Sequence, residues 1–393
     1  MQVTLNDMLE MERQGLITAH RSTDGLIGFK YKEETMYGKK WNQVVLQARG
    51  ITFVEATGEI VARPFAKFFN YQELVESDGT HTDLYGILPE EYRPNLSGPF
   101  HILDKIDGSL GIVFYNPISK KWQVKSSGDF YSPQALWGQK RLDAFGDNYL
   151  KKNLLEELTY CFEIVYDEDI HPIHYDYQDL VFLTAFRKVD GVELPYRAIR
   201  EVIKNVLGVR VPEEYSFDRF QDIVPWASKR PKDKEGVVVT FDNGFRTKLK
   251  SEEWIRYAEL FESCTYWNLW KRYDVIKKIY HAHVDPAKDY MPLDDEIFHI
   301  PEELKHMVDF SHALVERFDL VESRLKEQAG CLPADVERKD LVNYVQMKYP
   351  GHWNLVLTAK DCYIDKRKPI ALIRLMIKKK LEPTNEGVLL FEA

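Results

Sequence analysis

The stretch Leu103-Asp-Lys-Ile-Asp-Gly-Ser-Leu-Gly111 carries most of the information on fold and chemistry in this sequence. It puts a lysine, Lys105, two residues before an Asp-Gly turn, and the apolar run 110–115 follows at once. Runs rich in β-branched and aromatic residues are typical of strands. Gly108 lets the backbone turn tightly and approach a ligand. We therefore predict a lysine at a strand edge, beside a turn that carries a carboxylate.

Further strand-like runs lie on both sides of this stretch. Asp242-Asn-Gly244 separates two of them and predicts a hairpin turn, because Asn-Gly tolerates positive φ. Residues 133–142 and 197–207 have helical patterns, and Gly208 predicts the end of the second helix. The first part of the chain is therefore expected to form antiparallel sheets with flanking helices. The other predicted strands are residues 50–54, 60–62, 122–125, 160–165, 180–184 and 236–241.

The pattern changes after about residue 251, where apolar residues recur every three or four positions. We predict an α+β fold, with a sheet-containing domain over residues 1–252 and an all-helical domain over residues 253–393. The Pro- and Asp-containing segment 285–295 is expected to be a solvated connector. The predicted helical segments of the second domain are residues 253–278, 302–328, 341–348 and 370–381.

Composition excludes several classes of protein. The chain has 393 residues and a net charge of −9, from 53 Lys and Arg against 62 Asp and Glu. This charge excludes a polycation that binds nucleic acid by bulk charge, although it allows a local basic groove. The four cysteines form no CxxC pair, and no apolar run approaches the roughly 20 residues of a membrane span. We therefore expect a cytoplasmic monomer with no membrane partner.

The residues around Lys105 predict chemistry on a nucleotide. A neutral lysine amine can attack the α-phosphorus of a nucleotide, and nearby cations lower the lysine pKa and favour the neutral form. Downstream, strand alternation puts Lys248 and Lys250 on one face, where two ammonium groups suit a phosphoryl group. The carboxylates of Glu163 and Glu235 suit a ribose hydroxyl and a divalent metal.

This ordered set resembles the covalent nucleotidyltransferase superfamily of polynucleotide ligases and capping enzymes. The segments ARGITF, RPFAKFFN, KIDGSLG, KSSG and KLKSEEW narrow the resemblance to the bacteriophage T4 RNA ligase 1 family, over roughly residues 25–255. The resemblance implies that Lys105 becomes adenylated and that Glu163 binds ribose and assists metal binding. Glu235 would help to place Mg²⁺ or Mn²⁺, and Lys248 and Lys250 would contact the α-phosphate.

The resemblance also implies further nucleotide contacts. Phe69 would pack on adenine, with a buried core ring as the alternative, and Tyr31 would line the ATP pocket or be an ordinary strand aromatic. Trp254 stands where the family has a tyrosine, so no role that needs a phenolic hydroxyl transfers to it. The remaining implied contacts are Arg49 and Lys67 to the triphosphate, Gly108 beside the nucleotide, and Lys125 near the phosphate.

The resemblance implies an ATP-dependent RNA ligase that joins 3′-hydroxyl and 5′-phosphate ends of single-stranded or broken-loop RNA. A broken tRNA would be its substrate, an end-healing kinase/phosphatase would act upstream, and a phage-encoded chain would work in the host cytoplasm. The alternatives are a DNA ligase, a capping-type enzyme, and a catalytically silent RNA-binding relative. His171, His174, His281 and His283 have no convincing third ligand, so we expect them not to bind metal.

Overall fold

The structure is a computed structural model that describes residues 3–76, 79–93, 96–263, 265–274, 276–277, 305–384, 387–389 and 391. The chain forms two compact units, Met1–Ala258 and Glu259–Ala393. The connector at 285–295, His281, His283 and Cys264 lie outside the described residues.

Antiparallel sheets make up most of the first unit. The described strands form three four-stranded sheets, in the orders β1-β2-β3-β4, β10-β5-β11-β12 and β7-β6-β8-β9. The predicted α+β class, with antiparallel sheets in the N-terminal part, is confirmed. The strands are β1 Ile17–Arg21, β2 Leu26–Tyr31, β3 Arg49–Val54, β4 Ile60–Ala62, β5 Phe100–Asp104, β6 Ser109–Asn116, β7 Lys121–Ser126, β8 Leu158–Val165, β9 Asp179–Arg187, β10 Glu214–Tyr215, β11 Gly236–Phe241 and β12 Arg246–Lys250.

Helices flank these sheets, and a 3₁₀ turn covers Glu90–Tyr92. The predicted helix end at Gly208 is confirmed, since this residue has φ of 62°. The helices are α1 Leu5–Arg13, α2 Glu33–Tyr37, α3 Gln43–Gln47, α4 Tyr71–Leu74, α5 Asp83–Ile87, α6 Pro133–Asp143, α7 Asp147–Asn153, α8 Tyr196–Leu207, α9 Phe220–Ser228 and α10 Glu252–Ser263.

Buried apolar side chains join the three sheets. Phe29 and Phe53 of the first sheet share a core with Ile102 and Val239 of the second. Burial of large apolar side chains is the main favourable contribution to folding. The hairpin between β11 and β12 turns at Gly244, whose φ of 84° confirms the predicted Asn-Gly turn. This packing fixes the end of β5, where Lys105 follows.

The second unit is helical in its described part, as predicted. Its long helix α12 contributes Leu314, Phe318 and Leu325 to a core that also contains Val345 and Ile373. A π-helical turn at Lys360–Ile364 continues α14. The helices are α11 Tyr266–Lys271, α12 Lys305–Gly330, α13 Arg338–Lys348, α14 Trp353–Ala359 and α15 Ile370–Lys380.

Candidate active site

Lys105 lies directly after β5, and main-chain contacts fix its position. Its N–H donates to the carbonyl oxygen of Gly236 at 3.0 Å, which extends the pairing of β5 with β11. The carboxylate of the preceding residue, Asp104, lies 2.8 Å from Arg230 Nη2 and 3.0 Å from Lys234 Nζ. Asp104 and Arg230 are both buried, and a buried carboxylate requires such partners. These contacts therefore fix the main chain at Lys105 and at the residue before it.

Glu235 bridges the side chains of two lysines. Lys105 Nζ donates to its Oε2 at 2.7 Å, and Lys250 Nζ lies 3.0 Å from its Oε1. Glu235 is 3% exposed, so these two ammonium groups compensate the cost of burying its charge. Glu235 lies directly before Gly236, which pairs with Lys250 at the end of β12, so the hairpin brings the carboxylate and the second lysine together.

The pKa of Lys105 departs from the sequence-based expectation. Burial lowers the pKa of this ammonium, but attraction from Glu235 and Glu163 outweighs burial and raises it above the ordinary value. We expected nearby cations to favour the neutral amine. The sign is reversed because the group in contact with the amine is a carboxylate. Lys105 is therefore protonated in this state, and it must lose a proton before it can act as a nucleophile.

Glu163 lies on β8, next to the turn that follows Lys105. Burial raises its pKa to about 7, with Lys105 opposing and Glu235 reinforcing this shift. A Cβ atom at Gly108 would meet the carbonyl oxygen of Ile164 at 2.6 Å and Glu163 Cγ at 3.0 Å. Gly108 is thus needed for the close approach of the turn to β8. Its predicted closeness to a nucleotide stays a prediction.

Lys248 brings a third ammonium group into this region. It shares the less buried face of β12 with Lys250, as strand alternation predicted, because the buried Leu249 lies between them. Burial lowers the pKa of Lys248 to about 7, and Lys67 and Lys105 lower it further. A negatively charged phosphate placed there would reverse that effect and favour the charged lysine.

Arg49 is a half-buried cation with spare hydrogen-bonding capacity. Its guanidinium carbon lies 4.9 Å from the ring centroid of Phe68 and 5.8 Å from that of Phe65. Its Nη1 atom is buried and has no hydrogen-bond partner among the described residues. Buried donors are normally satisfied. The unsatisfied donor therefore favours a site that an anionic ligand completes.

Lys67 lies among three aromatic rings. Its Nζ is 5.7 Å from the centroid of Tyr31, 5.4 Å from that of Trp41 and 5.2 Å from that of Phe69. Such distances allow cation–π attraction. Burial lowers the pKa of Lys67. Phe69 is 1% exposed and belongs to the core, so its predicted packing on adenine stays a prediction that competes with this core role.

Lys125 on β7 is fully buried, with 0% exposure. Its Nζ donates to the carbonyl oxygen of Gly50 and to Thr52 Oγ1, both at 3.3 Å, and lies 4.7 Å from the ring centroid of Phe130. Burial lowers its pKa to about 7, although Asp129 opposes the shift. Its predicted position near the phosphate stays a prediction, because its ammonium is enclosed by the strands here.

Trp254 is buried at the start of α10. Its indole Nε1 donates to Asp107 Oδ2 at 3.4 Å, and Lys250 Nζ lies 4.1 Å from its ring centroid. The tryptophan thus contacts the turn after Lys105 and one of the paired lysines without a phenolic hydroxyl.

The sequence did not reveal the contacts of two further residues: His171 contacts Asp107, and Arg230 contacts Asp104. Neither stands in a motif with spacing that could have revealed it.

Comparison with known proteins identifies the family. The sequence profile of the RNA ligase family of the T4 RNA ligase 1 type matches residues 47–254, which is more than half of the chain. The chain belongs to this family.

Two curated relatives and one solved structure are similar to this RNA ligase family member. A putative RNA ligase of Thermovibrio ammonificans is 32% identical over 174 residues, covering 43% of this chain and 40% of the relative. A putative bifunctional polynucleotide kinase/RNA ligase of Autographa californica nuclear polyhedrosis virus is 24% identical over 231 residues, covering 54% and 30%. The chain thus matches less than half the length of either relative. The solved structure of a Naegleria gruberi RNA ligase with PPi has a TM-score of 0.36 and 16% identity, covering 44% of this chain and 55% of that chain.

The carboxylates of this family member have the chemistry of a divalent-metal site. Mg²⁺ prefers oxygen ligands, and it often uses one or two carboxylates together with substrate phosphates. Glu163 and Glu235 fit that description. Among the described residues, no group of three or more His, Cys, Asp or Glu side chains could hold a metal. Two carboxylates are the number that an ion shared with substrate phosphates uses.

A cavity of about 880 Å³ opens in the first unit. Its lining includes Lys67, Phe69, His101 and Arg246, whereas Lys105 does not line it.

Within the described ranges, no helix has the length and apolar character that a membrane span requires. The described cysteines, Cys161, Cys331 and Cys362, are free thiols.

Proposed function

We propose that this protein is an ATP-dependent RNA ligase in which Lys105 is the residue that becomes adenylated. One observation supports the proposal above all others. Lys105, the half-buried lysine of the family motif, lies 2.7 Å from the buried carboxylate of Glu235, and Lys250 contacts the same carboxylate at 3.0 Å. A nucleophile, a carboxylate and a phosphate-binding cation are thereby held together, as transfer of a nucleotidyl group requires.

In the first step, Lys105 Nζ attacks the α-phosphorus of ATP. The N–P bond forms as the bond between the α-phosphorus and the bridging oxygen breaks, and that oxygen leaves with its electron pair as part of pyrophosphate. The proton of the ammonium passes to a base, and Glu235 Oε2 is the base in contact with it. The products are a lysyl-AMP phosphoramidate and pyrophosphate.

The cations around Lys105 have separate tasks in this proposal. Lys248 and Lys250 contact the α-phosphate and stabilise the charge that develops on its oxygens. Arg49 and Lys67 bind the triphosphate, since Arg49 has a buried donor without a partner among the described residues. Glu163 binds the ribose. Glu235 and Glu163 would hold Mg²⁺ or Mn²⁺, which when bound would neutralise phosphate charge.

Two further steps complete the ligation. A 5′-phosphate oxygen of RNA attacks the phosphorus of lysyl-AMP, the N–P bond breaks, and the Lys105 amine takes up a proton. The RNA then carries a 5′–5′ pyrophosphate linkage to AMP. A 3′-hydroxyl attacks the phosphorus of the former 5′-phosphate, its proton passes to a base, and AMP leaves. Each step is a displacement at phosphorus that depends on positioning and cationic stabilisation.

We propose that residues 1–252 act as the adenylyltransferase domain and that residues 253–393 select the RNA. The proposed substrate is single-stranded or broken-loop RNA, with broken tRNA as the natural case in the cytoplasm. The viral relative is described as a bifunctional polynucleotide kinase/RNA ligase. That pairing supports an end-healing kinase/phosphatase as the enzyme that prepares the RNA ends for this chain.

Covalent labelling tests the proposed chemistry. The protein is incubated with α-labelled ATP and Mg²⁺, then denatured and separated on a gel. We expect label on the wild-type chain and none on Lys105→Met, because a thioether cannot form the phosphoramidate. Lys121→Met, at an exposed position, is the matched control and should label like the wild type. Label that persists on Lys105→Met would rule out this nucleophile.

A sealing assay tests the proposed substrate. Single-stranded RNA with a 5′-phosphate and a 3′-hydroxyl should be joined far faster than nicked duplex DNA. Faster sealing of DNA would favour a DNA ligase, and labelling by GTP in place of ATP would favour a capping-type enzyme. A chain that binds RNA but never becomes labelled would be a catalytically silent relative.

A further inference from the structure

The loop between β8 and β9, residues 166–178, closes over the turn that follows Lys105. Tyr175 Oη accepts a hydrogen bond from the N–H of Asp107 at 2.9 Å. The N–H of Ile173 donates to Asp107 Oδ2 at 3.3 Å. The loop therefore contacts both the main chain and the carboxylate of the second residue after Lys105.

His171, in the same loop, bridges two carboxylates. Its Nδ1 lies 3.3 Å from Asp107 Oδ1, and its Nε2 lies 3.1 Å from Asp169 Oδ2. Both carboxylates are largely buried, with side chains 9% and 12% exposed, while the histidine side chain is 25% exposed. An imidazole can donate to two carboxylates at once only when both ring nitrogens carry hydrogen, which makes it a cation.

The contact of Asp107 with His171 differs from its other contacts, because His171 carries a charge. Asp107 Oδ2 accepts the N–H of Ile173 at 3.3 Å and the indole N–H of Trp254 at 3.4 Å, and both distances are long for hydrogen bonds. Attraction between full charges falls off only as the inverse of distance. Among the described residues, the ammonium of Lys105 donates to Glu235, whereas His171 contacts Asp107 directly.

The other end of the bridge is anchored to a helix. Gln134 of α6 donates to Asp169 Oδ1 at 2.9 Å. Burial lowers the pKa of His171, but hydrogen bonds from its nitrogens to Asp107 and Asp169 outweigh burial and raise the pKa to about 10. The bridge is therefore intact across the neutral range. It connects the turn after Lys105 to the helix that covers the third sheet.

We infer that His171 is a positioning residue for adenylation: by bridging Asp107 and Asp169 it fixes the turn that orients Lys105 toward the α-phosphorus. The inference rests on the proposed function, since it concerns the first step of that reaction. The role that it assigns to this histidine is exerted through Asp107. A small displacement of a nucleophile is sufficient to slow a reaction strongly, because attack requires alignment.

The test is the single-turnover rate of enzyme–AMP formation, measured on the full chain. His171→Gln should lower the maximal rate at saturating ATP roughly 100-fold, the effect of about 1 Å of misplacement. The ATP concentration for half-maximal rate should change little, because the ATP contacts remain. The final extent of labelling should match the wild type, whereas the melting temperature should fall, because Asp107 and Asp169 lose the cation between them. His174→Gln makes the same substitution at an exposed position of the same loop and should leave the rate unchanged.

A double-mutant cycle locates the effect of His171. In the Asp107→Asn background the histidine has lost its charged partner on the turn after Lys105, so adding His171→Gln should have little further effect on the rate. Asp169→Asn, which loosens the other end of the bridge, should slow the reaction about 10-fold, as loss of an orienting partner does. This second variant supplies a test that does not depend on the folding of His171→Gln.

Each result supports or overturns the inference. A wild-type rate for His171→Gln, when Lys105→Met is unlabelled, overturns the role of His171 and leaves the proposed function standing. A fall in melting temperature and labelling extent together, with no slower rate for the folded fraction, overturns it in favour of a structural role. An equal loss in the Asp107→Asn background overturns it as well. A wild-type chain that never becomes labelled overturns the proposed function and this inference together.

Discussion

The pKa of the lysine side chain shifts in opposite directions at Lys105 and at Lys125. Lys105 contacts a buried carboxylate at 2.7 Å, and its pKa is raised. Lys125 is surrounded by a carbonyl oxygen, a hydroxyl and a phenylalanine ring, and its pKa falls to about 7. Burial acts in the same direction in both pockets. A carboxylate in contact with the ammonium therefore decides which lysine keeps its charge.

The largest effect is expected from a substitution at Glu235, because this carboxylate is what distinguishes the pocket of Lys105 from that of Lys125. Glu235→Gln keeps the shape of the side chain but removes the charge that holds Lys105 and Lys250 and that accepts the proton. The rate of enzyme–AMP formation should fall by about 10³-fold, the size of loss when one preorganised electrostatic group is removed. Single-turnover labelling with α-labelled ATP measures it.

Glu213→Gln is the matched control for this prediction, since Glu213 is exposed beside the same sheet. It should react at the wild-type rate. A Glu235→Gln enzyme that labels as fast as the wild type would show that the bridge between the two lysines has no part in catalysis.

The next effect is on stability. In the folded chain the pKa of Lys125 is about 7, against an ordinary value of 10.5, so the unfolded state binds more protons between these values. The free energy of unfolding of the wild type should therefore rise with pH across that window. Lys125→Met removes this cost and should stabilise the protein by about 3 kcal/mol at pH 7, after the lost hydrogen bonds are counted.

Urea unfolding at pH 7 and pH 10 measures this prediction. The gain from Lys125→Met should shrink toward pH 10, because the wild-type lysine is then neutral in the folded state and partly neutral in the unfolded state. Lys121→Met, at an exposed position of the same strand, should give no pH-dependent gain. A gain that is constant with pH would mean that the packing of methionine, and not the titration of Lys125, is responsible.

The smallest expected effect comes from the residue that faces the Lys125 ammonium. A Cβ atom on Gly28 would lie 2.5 Å from Lys125 Nζ and 3.2 Å from Thr52 Oγ1. Gly28→Ala should therefore destabilise the protein by about 1–2 kcal/mol, a usual cost of overpacking. In the Lys125→Met background most of that cost should disappear, because the atom that clashes is gone. An equal loss of stability from Gly28→Ala in the wild type and in Lys125→Met would show that the strain does not arise at the Lys125 ammonium.

Much of the fold could be predicted from local pattern. Alternation identified the strand that carries Lys248 and Lys250, and the Asn-Gly pair identified the turn before it. Gly208 marked the end of α8. These features depend on neighbours within a few residues, so a single sequence contains them. The two-residue period also put both lysines on one face without knowledge of the sheet order.

The rest depended on contacts between distant residues. The motif around Lys105 identified the lysine, but its raised pKa comes from Glu235, which is 130 positions away. The burial of Lys125 was missed because a lysine on a strand edge is normally solvated. His171 was dismissed as a metal ligand, and nothing in its local sequence reveals that the loop brings it to Asp107.

The pairing of β5, β11 and β12 has a consequence for how the chain can vary in length. Gly236 pairs with Lys250 and accepts the N–H of Lys105, so three functional side chains share one strand register. An extra residue inside β11 or β12 would turn every following side chain to the opposite face. Insertions in related chains should therefore accumulate in the turn at 117–120 and be absent inside β11 and β12.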